Sequence, residues 1–148
     1  MDMKPIPPKT TSLIQPLDVY FFRLWKVYVR TISDHIICNN LDISLQKRNN
    51  IIKLQSLVHF QFSAPRYIDM IKYSWFKSGY TERRGDRFET PNEYCFHHNM
   101  NDKECLTCLA ENVVSIPFSR CSYCEQFFCF KHFFGYDHVL IDYHTCYA

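Results

Sequence analysis

Seven of the eight cysteines and five of the seven histidines lie between Cys95 and Cys146, in a regular order. Cys105-x2-Cys108 is followed after twelve residues by Cys121-x2-Cys124, then by Cys129, His132, His138 and a closing His144-x-Cys146. Thiols two residues apart can present both sulfurs to one tetrahedral ion at about 2.3 Å. Two such pairs need two more pairs to close them. Cys105, Cys108, Cys121, Cys124, Cys129 and Cys146 supply six thiols, and His132 with either His138 or His144 supplies two imidazoles. That makes eight ligands, enough for two zinc ions. An isolated cysteine is more often a small buried apolar residue, but paired thiols at this spacing are a specific metal signal.

If every coordination position is taken by protein, neither ion keeps a place for water, and hydrolytic zinc chemistry is not expected. The metal instead supplies folding energy, on the order of 10–16 kcal/mol for structural zinc at neutral pH, where some 44 residues bury little core. Phe127, Phe128, Phe130, Phe133 and Phe134 are expected to cover part of that core, with an exposed subset free to bind a partner. Cys95, His97 and His98 fall outside the array and read as structural, and His35 and Cys38 as packing or capping residues.

The order of the ligand pairs resembles the cross-brace zinc finger of stress-associated proteins, the AN-one type. In that family the first and third pairs share one ion and the second and fourth share the other. The resemblance implies that Cys105, Cys108, Cys129 and His132 hold one zinc, and Cys121, Cys124, Cys146 and a late histidine the other. His138 has the family's spacing after His132, whereas His144 has the adjacent cysteine. His144 is the favoured ligand and His138 the alternative.

The elements that must carry this array are legible in outline. The chain has 148 residues, with 13 Phe and 10 Tyr against 3 Gly, so apolar bulk is plentiful and disorder is not expected. Pro5, Pro7 and Pro8 make the first residues an extended arm. From Asp18, placed as an N-cap, Phe21, Leu24, Trp25, Tyr28 and Ile32 share one helical face. Arg23, Lys26 and Arg30 form a basic stripe on another face, which either tracks phosphates or is simply the solvated side of the helix. Ile51, Leu54, Leu57 and Val58 predict a second, shorter helix. Ser63 is expected to cap a third, with Pro65 in its first turn, Phe62 stapled to Tyr67, and Ala64, Ile68, Ile71 and Trp75 on its apolar face. Gly79 supplies a left-handed stop, and residues 81–91 read as a linker.

Charge divides at the same place. Residues 1–90 carry 14 Lys/Arg against 8 Asp/Glu, a balance of +6, and residues 91–148 carry 3 against 7, a balance of −4. The basic half suits either a polyanionic partner such as nucleic acid or a merely solvated helical surface; the acidic half favours a protein partner. No secretory signal or membrane span is seen, so the chain is expected to be soluble and intracellular, where clustered thiols stay reduced.

Pro7-Pro8-Lys9-Thr10-Thr11-Ser12-Leu13-Ile14-Gln15-Pro16-Leu17-Asp18 resembles the end of the catalytic core in DDE-type transposases of the pogo and mariner group. There the stretch delivers the third metal-binding carboxylate at the start of a helix, a place that Asp18 occupies here. The family holds two magnesium ions with three carboxylates on a ribonuclease-H-like sheet and uses them against a phosphodiester. The other acids before Thr90 do not sit in runs that read as central strands. Asp18 alone cannot perform that chemistry, and magnesium enters only if a complete DDE site exists.

The expected fold class is α+β. Residues 1–90 form a basic helical segment, by resemblance the truncated end of a ribonuclease-H-like core, and residues 91–148 form a small zinc-stabilised module. The expected function is that of a fragment derived from a transposable element. It binds nucleic acid in the nucleus and is not catalytic alone; the alternative is a zinc finger that docks a protein.

Overall fold

The computed structural model describes residues 9–96, 99–135 and 142–146, apart from the side chains of Thr11 and Ser12. The proline arm and His138, the alternative metal ligand, lie outside the described residues. Helix α1 (Thr11–Ile14) leads through a π-helical turn (Leu17–Phe21) into the long helix α2 (Phe22–Cys38). Helix α3 (Arg48–Phe62), a 3-10 turn (Pro65–Tyr67) and helix α4 (Ile68–Lys77) complete the basic segment. Three one-turn helices, α5 (Pro91–Cys95), α6 (Leu106–Ala110) and α7 (Phe130–Phe134), and a two-stranded sheet make up the rest. Strands β1 (Ser119–Arg120) and β2 (Phe127–Phe128) pair antiparallel, with Ser119 opposite Phe128 and Arg120 opposite Phe127. The architecture is mixed, mostly helical with this one small sheet among the described residues.

Helix α2 buries Tyr28, Ile32 and Ile36, and half-buries Phe21, Leu24 and Trp25, as the three- and four-residue spacing requires. Phe62, at the end of α3, ties the two helices together. Its ring centroid lies 5.4 Å from Phe21, 5.3 Å from Trp25 and 5.4 Å from Tyr28. Helix α3 buries Leu54, Leu57, Val58 and Gln61 as well, and at 15 residues it is nearly as long as α2. Ile51, expected on the buried face, is exposed because the helix starts at Arg48 and its first turn projects beyond the core.

The third helix differs from expectation in phase. Ser63 closes α3 as its C-cap, with its hydroxyl donating to the His59 carbonyl at 2.7 Å, and so does not open the next helix. Pro65 starts the 3-10 turn instead, and the tighter turn rotates α4. Tyr67, Met70 and Ser74 therefore face inward, while Ile68, Ile71 and Trp75 face solvent. The contact of Phe62 with Tyr67 survives, at 6.4 Å between rings. Gly79 ends α4 at φ +79°, and the bonds Gly79 N–H to Phe76 O and Tyr80 N–H to Trp75 O form a Schellman motif.

Residues 81–90 carry no regular structure, and Thr90 then caps α5. The Thr90 hydroxyl accepts from the Glu93 N–H while the Glu93 carboxylate accepts from the Thr90 N–H, with Pro91 at the first helical position. One core runs across this region. Tyr28, Ile32, Phe62 and Tyr67 share it with Tyr94, Cys95, Cys105, Cys121, Phe128, Phe130, Phe133 and Phe134. The phenylalanines expected to cover the metal module do so, with Phe127 alone half-buried.

Candidate metal centres

Two short helices of the same design build the first centre. Cys105 is the N-cap of α6 and Cys108 its third residue; Cys129 is the N-cap of α7 and His132 its third residue. In one helical turn the N-cap and third positions approach each other, so each pair aims two donor atoms at one point. His132 Nδ1 lies 3.4 Å from Cys105 Sγ, 3.3 Å from Cys108 Sγ and 3.4 Å from Cys129 Sγ, and the Cys108 and Cys129 sulfurs are 3.8 Å apart.

The second centre is assembled differently. Cys121 and Cys124 sit on the turn joining β1 to β2, held by the bonds Cys121 N–H to Gln126 O and Glu125 N–H to Cys121 O, with Glu125 in the left-handed region. The other pair comes from the extended segment 142–146, which the His144 N–H ties to the Phe133 carbonyl of α7. The His144 ring stacks on Phe128 at 3.9 Å. Its Nε2 lies 3.5 Å from Cys124 Sγ, and Cys121 and Cys146 sulfurs are 3.6 Å apart.

A tetrahedral site with metal–sulfur bonds of about 2.3 Å and metal–nitrogen bonds of about 2.05 Å has edges of about 3.8 Å between sulfurs and about 3.6 Å between sulfur and nitrogen. The separations above fall within about 0.3 Å of those edges. A disulfide needs about 2.05 Å, and all eight cysteines are free. In each set of four, all donor atoms lie within 4.8 Å of one another. These two clusters, each of three cysteines and one histidine, could each hold a metal ion.

The ionisation pattern fits a doubly charged occupant. Burial opposes a charge on Cys105, but the backbone N–H groups of Cys108 and Cys129 and the His132 ring more than compensate and hold its thiol at about 6. Burial likewise opposes a charge on Cys121, yet His144, the N–H groups of Cys124 and Tyr123, and Gln61 bring it to about 6. Three other thiols, Cys124, Cys129 and Cys146, move the other way. Burial, reinforced by the charge of Cys105, pushes Cys129 up to about 11; burial together with Cys121 pushes Cys146 up to about 12 and also raises Cys124. The charge on Cys105 thus opposes ionisation of Cys129, and that on Cys121 opposes ionisation of Cys124 and Cys146.

Behind the second centre lies a buried polar network that the spacing of the ligands gives no hint of. Gln61 is fully buried in α3; its amide nitrogen lies 3.6 Å from Cys121 Sγ and its carbonyl oxygen accepts the Ser122 N–H at 2.7 Å. The Ser122 hydroxyl lies 2.8 Å from Tyr67 Oη and 3.2 Å from Cys95 Sγ. Cys95 is thus a buried partner of this network and no ligand, and burial pushes its thiol up. A glutamine among Leu57, Val58 and Phe62 on the buried side of an amphipathic helix was the available signal.

Other residues singled out by sequence are placed as follows. Arg23, Lys26 and Arg30 are all exposed along one side of α2. Asp18 is exposed within the π-helical turn, where no side chain caps the helix, so its expected role as N-cap is not realised. The reason is that the chain is already helical at Pro16, two residues upstream. Among the described residues the only gatherings of three or more potential ligands are the two cysteine–histidine sets, and Asp18 belongs to neither. His35 stacks on Phe130 at 4.6 Å and meets the tilted ring of Phe118 at 4.3 Å, with burial lowering its basicity, while Cys38 is exposed.

Residues 75–146 match the family profile of the Tc5 transposase C-terminal domain. The matched stretch contains all eight cysteine and histidine donors, and the match supports a transposase-derived origin for this region. No curated protein and no solved structure matches the chain. No helix of the described residues is long and apolar enough to cross a membrane.

Proposed function

We propose that the chain is a nucleic-acid-binding, transposase-derived protein whose C-terminal region is held together by two structural zinc ions. Cys105, Cys108, Cys129 and His132 bind one; Cys121, Cys124, His144 and Cys146 bind the other, in the cross-brace order of an AN-one-like finger. The observation that carries this reading is the convergence of all eight donors in two tetrahedral sets inside the stretch that matches the Tc5 domain. Zinc supplies folding energy here, because each set fills four positions and leaves none for substrate.

Residues 1–90 provide the contact to DNA, with Arg23, Lys26 and Arg30 of α2 neutralising phosphates, and residues 91–148 form the zinc module packed against them. The protein acts in the nucleus. Asp18 marks descent from a DDE enzyme of the pogo and mariner group but is not catalytic alone; among the described residues it joins no gathering of three or more potential ligands. Binding to duplex DNA, followed by fluorescence anisotropy at several salt concentrations, tests the proposal. Replacing all three basic residues by alanine is expected to lower the salt slope by about 2.7, at about 0.9 per phosphate. An unchanged slope removes α2 from the interface, and magnesium-dependent strand cleavage abolished by Asp18→Ala contradicts the inactive reading.

One observation favours a second reading, in which the zinc module docks a protein. Leu106, Leu109, Val114 and Ile116 are exposed and line one open groove beside the first centre, together with Asp102, Lys103 and Glu104. Such a surface suits an apolar segment flanked by basic residues.

A further inference from the structure

Between α2, α3 and the second metal centre lies an open groove of about 630 Å³ whose walls are aromatic. Trp25 of α2 forms one side. Phe60 of α3 and Tyr123 of the metal turn, stacked at 4.6 Å and 23°, form another, and Tyr143 lies 6.4 Å from Phe60. The polar side chains beside these rings are Gln55, Ser56, His59 and Ser63. Gln55 accepts the Trp25 indole N–H at 3.0 Å, which fixes the ring and leaves the amide nitrogen as a donor, and His59 lies one turn further along α3.

We infer that this groove is a binding site for an unpaired nucleobase of single-stranded nucleic acid. Flat aromatic walls accept any base by stacking, and one amide and one imidazole offer hydrogen bonds to a base edge. Among the described residues no acidic side chain lines the groove. Lys26 follows Trp25 on α2 and is exposed, with Arg23 and Arg30 on the same side, so a base on Trp25 has its phosphates beside the basic stripe. This inference rests on the nucleic-acid-binding reading above and narrows its partner to a strand with at least one base out of the stack. Tyr123 lies between Cys121 and Cys124, and Tyr143 precedes His144, so the second metal centre orders two of the walls.

The test uses the zinc-loaded full chain carrying Trp75→Phe, a change at an exposed ring that leaves Trp25 as the only indole. A fluorescein-labelled oligothymidylate of about ten nucleotides and a blunt duplex of the same length are titrated separately. Anisotropy and tryptophan emission are both read. The single strand is expected to quench Trp25 saturably and the duplex is not. The double variant Gln55→Ala, His59→Ala, with both positions exposed, is expected to weaken single-strand binding about five- to tenfold while leaving duplex binding unchanged. Binding of the single strand without quenching, or equal quenching by the duplex, overturns the groove assignment and leaves the basic stripe in place. No anisotropy change with either DNA at low salt overturns the nucleic-acid reading itself.

Discussion

Replacing Gln61 by leucine separates the two metal centres energetically. The side chain is fully buried, and its two polar atoms serve the second centre alone: one accepts the Ser122 N–H at 2.7 Å, the other faces Cys121 Sγ at 3.6 Å. Leucine fills nearly the same volume, so little cavity arises. The Ser122 N–H is then buried without an acceptor, at about 1–3 kcal/mol, and a hydrogen bond to a thiolate worth about 1.5–3 kcal/mol is lost. Added apolar contact offsets part of this, which leaves a net loss of about 2–4 kcal/mol. Part of this loss, about 1.4–2.7 kcal/mol, falls on the metal, so affinity at the second centre should drop about 10- to 100-fold, the range for lost outer-shell partners of a ligand, and the rest on the stability of the metal-free chain. The assay is stepwise competition for zinc with a chromogenic chelator, with cobalt spectra reporting each site. Loss confined to one of two resolvable sites is expected. Equal weakening of both sites, or no change at either, refutes the reasoning.

Other perturbations follow from the same geometry. Loading the metal-free chain with two zinc ions at pH 7.5 should release at least three protons, because burial and neighbouring thiolates keep Cys124, Cys129 and Cys146 protonated above that pH. Calorimetry in buffers of different ionisation enthalpy measures the number. Gly135→Ala places a Cβ at φ +69° against the Asp142 carbonyl, so the segment carrying His144 and Cys146 must shift. A loss of zinc at the second centre before the first, seen by native mass spectrometry, is the expected result. Thr90→Ala breaks the capping box of α5 and should cost about 0.5–2 kcal/mol in a denaturant melt. Bonds from Thr90 hold the Glu93 carboxyl below its ordinary value, so its contribution is present above that value and disappears as the pH falls through the depressed one. The difference between wild type and Thr90→Ala should shrink correspondingly in acid.

The two cysteine–histidine clusters were legible because donor type and spacing are local properties. Cys105 and Cys108, or Cys129 and His132, meet through a single helical turn, whatever the rest of the chain does. Pairing of Cys121 and Cys124 with His144 and Cys146 depends on tertiary contacts, and residue order suggested it only through a resemblance. The apolar face of α2 was also readable, since Tyr28, Ile32 and Ile36 repeat at helical spacing over 17 residues. Helix α4 was not. Its ten residues present apolar side chains on several faces, and a hydrogen bond between Tyr67 and Ser122, 55 residues apart, helps decide which face turns inward. The role of Gln61 was hidden for the same reason: only the folded chain brings it to Cys121. The capping box at Thr90 was visible as Thr-Pro-Asn-Glu before a short apolar pair, but the surrounding charge made the stretch read as linker.

Zinc X-ray absorption on the purified, folded chain, combined with a metal count, tests the central claim most directly. Two zinc ions per chain are expected, each with an average shell of three sulfurs at about 2.3 Å and one nitrogen at about 2.0 Å. Folded protein with no zinc, or with an oxygen in the shell that leaves a coordination position open to water, contradicts the account.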